Sequence, residues 1–246
     1  MKTIIVTSSI TYAPENYNDV LESVLHNARE HINAVILIKI NLLSILGKVP
    51  YLYFSGCKNI ADTLLRNMST AVSERKEKLF KKYDVPFIYT SSINDPKIVS
   101  WIKQRKTDLL LNLRGRCIYK DTVLKIPQLG CVNVHHGILP QQRGLFCDLY
   151  ALAEKRATGF TIHEMTNQID QGKIFFQEKV EWSNNYMDYL ARVSLREGLV
   201  LVSFMNQVAK RGALPEGIYN KFEQSIVTTT PNFKTIRRFQ SCGMIL

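Results

Sequence analysis

The chain has 246 residues, 46% of them hydrophobic and 22% charged, a balance that supports a sizeable core and excludes a disordered or fibrous chain. That length fits one large α/β domain, or one domain with a small appendage. Lys and Arg number 32 against 21 Asp and Glu, a formal charge of +11, which favours anionic partners such as nucleotides, phosphorylated or nucleotide-linked substrates, polyglutamylated cofactors or RNA.

Thr3–Thr7 is a short β-branched run that reads as a buried first strand. After a loop over Ser8–Asn18, residues Val20, Leu21, Val24, Leu25 and Ala28 fall on one helical face. Ala34–Ile40 is a continuous apolar run of the kind a parallel strand covered on both faces requires. The stretch Ala34–Leu46 falls short of the ~20 residues that cross a bilayer and contains Lys39, so no membrane span is expected. Pro50 and Ser55-Gly56-Cys57 break Leu42–Asn67, with a helix expected around Asn59–Arg66. Glu74–Tyr83 is a basic amphipathic helix, Val85–Tyr89 a strand, and Asp95–Arg105 a helix with Asp95 or Asn94 as cap and Pro96 in its first turn. Thr107–Asn112 and Cys131–Val134 read as buried strands. Leu149–Lys155 is helical, Thr158–Met165 and Lys173–Glu181 are strands, and Asn185–Lys210 is a long helix carrying Leu190, Val193, Leu195, Leu199, Val202, Phe204 and Val208. That helix could pack on its own sheet or on a second copy in a homodimer; the first is expected.

This rhythm predicts an α/β fold, a Rossmann-like, mostly parallel sheet with helices on both faces. Residues 1–210 would form the catalytic domain and 211–246 a C-terminal extension holding a hairpin or short helix. The five cysteines, Cys57, Cys117, Cys131, Cys147 and Cys242, form no C-x-x-C pair, so reduced thiols in a cytoplasmic protein are expected, with no disulfide framework and no metal site. The N-terminal apolar run is too short for a signal peptide. No G-x-G-x-x-G follows the first strand, and Walker A, G-x-S-x-G and H-E-x-x-H patterns are missing.

One polar cluster remains. Asn133 and His135 lie two residues apart at a strand end, and positions i and i+2 of a strand face the same side. Their amide and imidazole would converge above the sheet edge, where ligands of open α/β sheets sit. Asp170 follows at a strand-to-strand turn. An amide N–H and an imidazolium can stabilise the negative charge that grows on a carbonyl oxygen under attack by an amine, and a carboxylate can tune the histidine and help to move the proton. Taken singly, an Asn at a strand end commonly caps a turn and Asp-x-Gly commonly makes one, so the residues alone leave the reaction class open.

The segments N-V-H-H-G-I-L-P-x-x-R-G, G-F-T-I-H-E-M and I-D-Q-G-K-I resemble the folate-dependent formyltransferase family, whose pattern runs N-x-H-x-S/G-L-L-P-x-x-R-G, G-x-T-x-H and D-x-G-x-I. The resemblance is clear over residues 107–180. It implies Asn133, His135 and Asp170 as catalytic residues and N10-formyltetrahydrofolate as formyl donor to a primary amine. The pterin would lie against Leu113, Arg114, Gly115, Arg116, Cys117 and Ile118, largely through backbone groups, with Thr166, Asn167, Ile169 and Asp170 on its other side. His136, Gly137, Arg143, Gly144 and His163 would line the substrate loop, His163 supporting the site. His136-Gly137 leans towards members that act on amino sugars. The loop after the first strand lacks the Gly-rich phosphate cradle of glycinamide ribonucleotide transformylases, and a methionyl-tRNA formyltransferase would need a further RNA-binding domain. The expected acceptor is therefore a small, anionic or nucleotide-linked amino sugar and not a nucleic acid. The alternatives are another acceptor within the class, aminoacyl-tRNA or glycinamide ribonucleotide, and a folate- or nucleotide-binding protein without turnover.

Overall fold

The structure is a computed structural model, and it describes residues 1–220 and 225–246. In chain order the strands are β1 (Thr3–Ser8), β2 (Ile32–Ile38), β3 (Phe87–Thr90), β4 (Leu109–Asn112), β5 (Gly130–His135), β6 (Gln142–Gly144), β7 (Thr158–Glu164), β8 (Ile174–Val180) and β9 (Ile226–Thr228). The helices are α1 (Asn18–Asn27), α2 (Leu42–Leu46), α3 (Val49–Phe54), α4 (Lys58–Val72), α5 (Arg75–Lys82), α6 (Pro96–Gln104), α7 (Asp121–Leu124), α8 (Cys147–Ala153), α9 (Tyr186–Arg211) and α10 (Phe233–Ser241).

Seven strands make one sheet in the order β3-β2-β1-β4-β5-β7-β8. The first five run parallel, and β7 and β8 join antiparallel. The expected mostly parallel sheet with helices on both faces is thus what forms. Side chains alternate between the faces, as the two-residue period requires. Ile5, Val35, Leu37, Leu111, Val132 and Ile162 point to one core with residues of α1, α5, α8, α9 and α10. Ile4, Val6, Ile36, Leu110 and Cys131 point to the other, with Ile98 and Ile102 of α6 and Val123 of α7.

Local chemistry sets the element ends. Asp95 caps α6 by accepting from the Lys97 N–H at 2.8 Å, with Pro96 at the first position where its missing N–H costs nothing. Asn185 caps α9, and Gly212 closes it in the left-handed conformation. Three expectations change. The interrupted stretch 42–54 becomes the two short helices α2 and α3. The helix expected at Leu149–Lys155 begins two residues earlier, because Phe146 turns left-handed and starts it at Cys147. On α9 the buried stripe is Leu190, Val193, Leu201, Phe204, Met205 and Val208, while Leu195 and Leu199 face solvent, since a turn of 3.6 residues cannot carry every apolar position inward. Among the described residues no helix is long and apolar enough to cross a membrane.

The C-terminal segment, of which residues 221–224 lie outside the described residues, returns over the domain. Ile218 pairs with Ile174, β9 pairs with β6 in a second, two-stranded parallel sheet, and Phe239 of α10 packs edge-on to Tyr150 at 5.0 Å between ring centres. Phe239 is 1% exposed and belongs to the main core. Phe239→Ala should therefore destabilise the whole domain by about 3–5 kcal/mol, read as a lower urea midpoint in a single cooperative transition; a separate early transition of the tail would contradict this packing.

Candidate active site

The site forms where β4, β5 and β7 end beside one another. Their register pairs Asn112 with Asn133 and Asn133 with His163, so three polar side chains stand in a row on one face of the sheet. The row is hydrogen-bonded end to end. The Tyr119 hydroxyl donates to Asn112 Oδ1 at 2.9 Å, and Asn112 Nδ2 donates to Asn133 Oδ1 at 2.8 Å. At the far end His163 Nδ1 lies 2.7 Å from the Glu164 carbonyl, which can only accept, so Nδ1 carries the proton. Nε2 is then a bare acceptor, and Asn133 Nδ2 donates to it at 3.1 Å. The amide of Asn133 is thereby held in one orientation, with one of its two N–H bonds spent on His163 and the other available above the strand ends.

Burial, followed by the charge of nearby His135, pushes His163 down to about 4, against the ordinary 6.5. It stays neutral through the physiological range and serves as a fixed acceptor.

His135, two residues along β5, is pinned on its other side. Its Nε2–H donates to the Gln142 carbonyl at 2.8 Å, which turns Nδ1 towards Asp170 Oδ1, 3.6 Å away. Cys147 Sγ lies 3.3 Å from the same Nε2 and donates to the His136 carbonyl at 2.9 Å. Burial pushes the Cys147 thiol well up, so it remains a neutral donor. Gly137 makes this packing possible: a Cβ there would stand 2.6 Å from Cys147 Sγ and 2.8 Å from His135 Nε2. Asp170 Oδ2 accepts from the Gly144 N–H at 3.0 Å, and Oδ1 also lies 3.7 Å from His163 Nε2. His135 and Asp170 thus face each other, and Asn133 is linked to Asp170 through His163.

The flanking loops divide. Leu113 is buried in the core and anchored by its N–H to Val6, Arg116 and Ile118 are exposed, and Cys117 lies against Ser92 and Asn94. Gly115 lies close against Asn112 Oδ1. In the second loop the Thr166 hydroxyl accepts from the Gln168 N–H at 3.2 Å, Asn167 is exposed, and Ile169 is 60% exposed. Arg143 is buried, and its Nη2 donates to the Ile169 carbonyl at 2.7 Å.

Arg114 and His136, expected to line the ligand loops, instead enter a buried ionic cluster on the opposite face. His136 Nε2 is 2.6 Å from Glu197 Oε1 and its Nδ1 is 3.5 Å from Asp148 Oδ2, while Arg114 lies against the ring. Tyr17 donates to Glu197 at 2.9 Å and Tyr186 to Asp148 at 3.2 Å. Burial alone would raise the Glu197 carboxyl, but His136, Arg114 and Tyr17 outweigh it and hold it below the usual range. The cluster ties α9 to the segment following His135.

The family model described as formyl transferase matches residues 57–201, more than half of the chain. The chain belongs to the formyl transferase family. It is 34% identical over 140 residues to the bifunctional polymyxin resistance protein ArnA of Wigglesworthia glossinidia brevipalpis, a stretch covering 56% of this chain and 21% of that protein. It is 32% identical over 101 residues to the methionyl-tRNA formyltransferase of Thermotoga maritima, covering 41% and 32%. The match thus spans a third or less of these curated relatives. Two solved structures share the fold across nearly the whole chain. A sugar N-formyltransferase from Shewanella sp FDAARGOS_354 gives a TM-score of 0.61 at 18% identity, covering 98% of this chain and 87% of that one. A phosphoribosylglycinamide formyltransferase from Anaplasma phagocytophilum gives 0.63 at 13%, covering 93% and 99%.

Sequence reasoning missed Asn112, Tyr119, Cys147, Asp148 and Glu197. Asn112 had a signal, as the one polar residue closing the apolar run Leu109–Leu111. Glu197 had none, since a lone acid on a long helix is ordinarily a solvated one.

Two outcomes follow for this formyl transferase. The depressed His163 pKa means that the unfolded chain binds a proton below about 6.5 that the folded chain refuses until about 4. Its stabilising contribution is complete above that window and is lost as pH falls through it. The melting temperature should drop between pH 6.5 and 4, and His163→Gln should flatten that drop. Glu197→Ala strips the counter-charge from His136 and Arg114 and should cost about 3–5 kcal/mol, measured by denaturant unfolding at pH 7.

Proposed function

We propose that this formyl transferase passes a formyl group from N10-formyltetrahydrofolate to the primary amine of a small, nucleotide-linked amino sugar, with Asn133, His135 and Asp170 as its catalytic residues. One observation carries the reading: the hydrogen-bonded row from Tyr119 to His163 holds the Asn133 amide in the single orientation that offers an N–H beside His135 and Asp170.

Attack by an amine on the formyl carbon moves charge onto the formyl oxygen. The free Asn133 N–H is a donor already oriented for it, and such a donor is worth about 3–4 kcal/mol in the transition state, while His135, its Nε2–H given to the Gln142 carbonyl, presents Nδ1 towards Asp170. The nitrogen must then lose a proton. Asp170, held by the Gly144 N–H and facing His135 Nδ1, is the carboxylate placed to take part in that transfer. No nucleophilic side chain is required, and Cys147 remains a neutral thiol turned to a carbonyl.

The folate would supply an activated formyl group. The chain offers it exposed apolar Ile118 on one flanking loop and Ile169 on the other, which suits a flat heteroaromatic ring. The +11 charge favours both the glutamate tail of such a donor and an anionic acceptor. His136-Gly137 is the feature that points to amino sugars; its ring now serves the buried cluster, so it bears on the acceptor only through the loop it holds.

The test is incubation with N10-formyltetrahydrofolate and a panel of nucleotide-linked amino sugars, tRNA and glycinamide ribonucleotide. Formyl transfer to an amino sugar is expected, and His135→Ala, Asn133→Ala and Asp170→Ala should each lower kcat roughly a hundredfold or more with melting temperature retained. Transfer to tRNA or glycinamide ribonucleotide alone would replace the acceptor. Near-wild-type turnover by His135→Ala, or folate binding without product, would overturn the catalytic reading.

A further inference from the structure

We infer that Asn220, in the segment after α9, is a positioning residue for Asp170, so that the C-terminal segment completes the formyl-transfer site; this rests on the function proposed above. Asp170 stands in the left-handed region, with φ of 55°, a conformation that costs a non-glycine residue energy and persists only when its surroundings impose it. Three groups hold it, and all three lie outside the Asp170 turn's own hairpin, β7–β8. Arg143 Nη2 of β6 donates to the Ile169 carbonyl at 2.7 Å, and the Gly144 N–H donates to Asp170 Oδ2 at 3.0 Å. Asn220 Nδ2 donates to the Asp170 carbonyl at 2.8 Å and reaches the Gly172 carbonyl at 3.4 Å.

Asn220 is only 6% exposed, and among the described residues its Oδ1 meets no hydrogen-bond partner. A buried amide with an idle oxygen is a poor choice for packing alone, and the donor side is what the turn uses. The approach to Asn220 is itself tied down, by Ile218 and Ile174 exchanging backbone hydrogen bonds at 2.8 and 2.9 Å. Beyond it, β9 closes on the other donor strand. Thr228 pairs with Gly144 and its hydroxyl donates to the Leu145 carbonyl at 2.8 Å. The same segment therefore holds the aspartate's backbone directly and its carboxylate through Gly144.

The discriminating variant is Asn220→Asp, which keeps the shape and replaces the N–H donor by an oxygen. In the full chain, Asn220→Asp and Asn220→Ala should both lower kcat roughly ten- to a hundredfold, with KM for donor and acceptor within about twofold, since Asn220 is buried against the Asp170 turn. In an Asp170→Asn background the same changes should cost little further, because the route runs through Asp170. Wild-type kcat in Asn220→Asp, or losses that multiply undiminished in the Asp170→Asn background, would overturn the inference. A readout independent of turnover separates this from the function itself. The Gly144 amide resonance reports its hydrogen bond to the Asp170 carboxylate, and Asn220→Asp should move it towards its position in Asp170→Ala. An unmoved resonance overturns the positioning role even if no acceptor is ever formylated. Absence of formyl transfer by the wild type, with the resonance shifted as expected, overturns the function and keeps the positioning.

Discussion

The alignment of Asn112, Asn133 and His163 across three adjacent strands is the constraint on which the site depends. Each is an ordinary polar residue near a strand end. Only the register of β4, β5 and β7 makes them neighbours, and only the Glu164 carbonyl, by claiming the proton of His163 Nδ1, gives the row a direction. Hydrogen bonds in such a chain reinforce one another in a low-dielectric setting, and a wrongly flipped amide would set donor against donor. Asn133 is therefore oriented by its neighbours on both flanking strands. The antiparallel entry of β7 is part of the same device, since it brings His163 beside the last turns of two parallel strands.

The opposite face of β5 supports the same point by other means. His136 follows His135 directly but points the other way, into two buried carboxylates and an arginine. A buried ionic cluster adds little net stability against an apolar replacement, yet breaking it is costly, so it holds geometry more than it stabilises. Here it anchors α9 to the residue between His135 and Gly137. The loop that follows is then closed by Thr161, whose hydroxyl donates to the Gly137 carbonyl at 2.6 Å. His135 is thus fixed from before, behind and beyond.

Much of the fold was legible from local pattern. Continuous apolar runs at β1, β2 and β4 could only be strands covered on both faces, and Asp95-Pro96 and Asn185 marked helix starts through their own hydrogen-bonding chemistry. Asn133 and His135 were legible because a two-residue offset in a strand has a single geometric meaning. Asp170 required the family resemblance, since a turn aspartate some thirty-five residues away carries no local sign of where it lands. The partners of the Arg114 and His136 side chains were not legible in the sequence, for a physical reason. A charged residue in a loop beside a site is expected to face solvent or ligand, and only the packing of α8 and α9, with Asp148 and Glu197 buried, offers these two counter-charges inside.

By itself the sequence determined the strand and helix periods, the helix caps, and the pairing of an amide with an imidazole on one face of β5. These depend on backbone geometry within a few residues, which the local chain cannot evade. The tertiary structure decided which partners those groups meet: Asn112 and His163 for Asn133, Gln142 and Cys147 for His135, and Asn220 for Asp170. Such contacts join residues far apart in the chain, and they exist only once strand register and the return of the C-terminal segment have been settled by burial of the shared core.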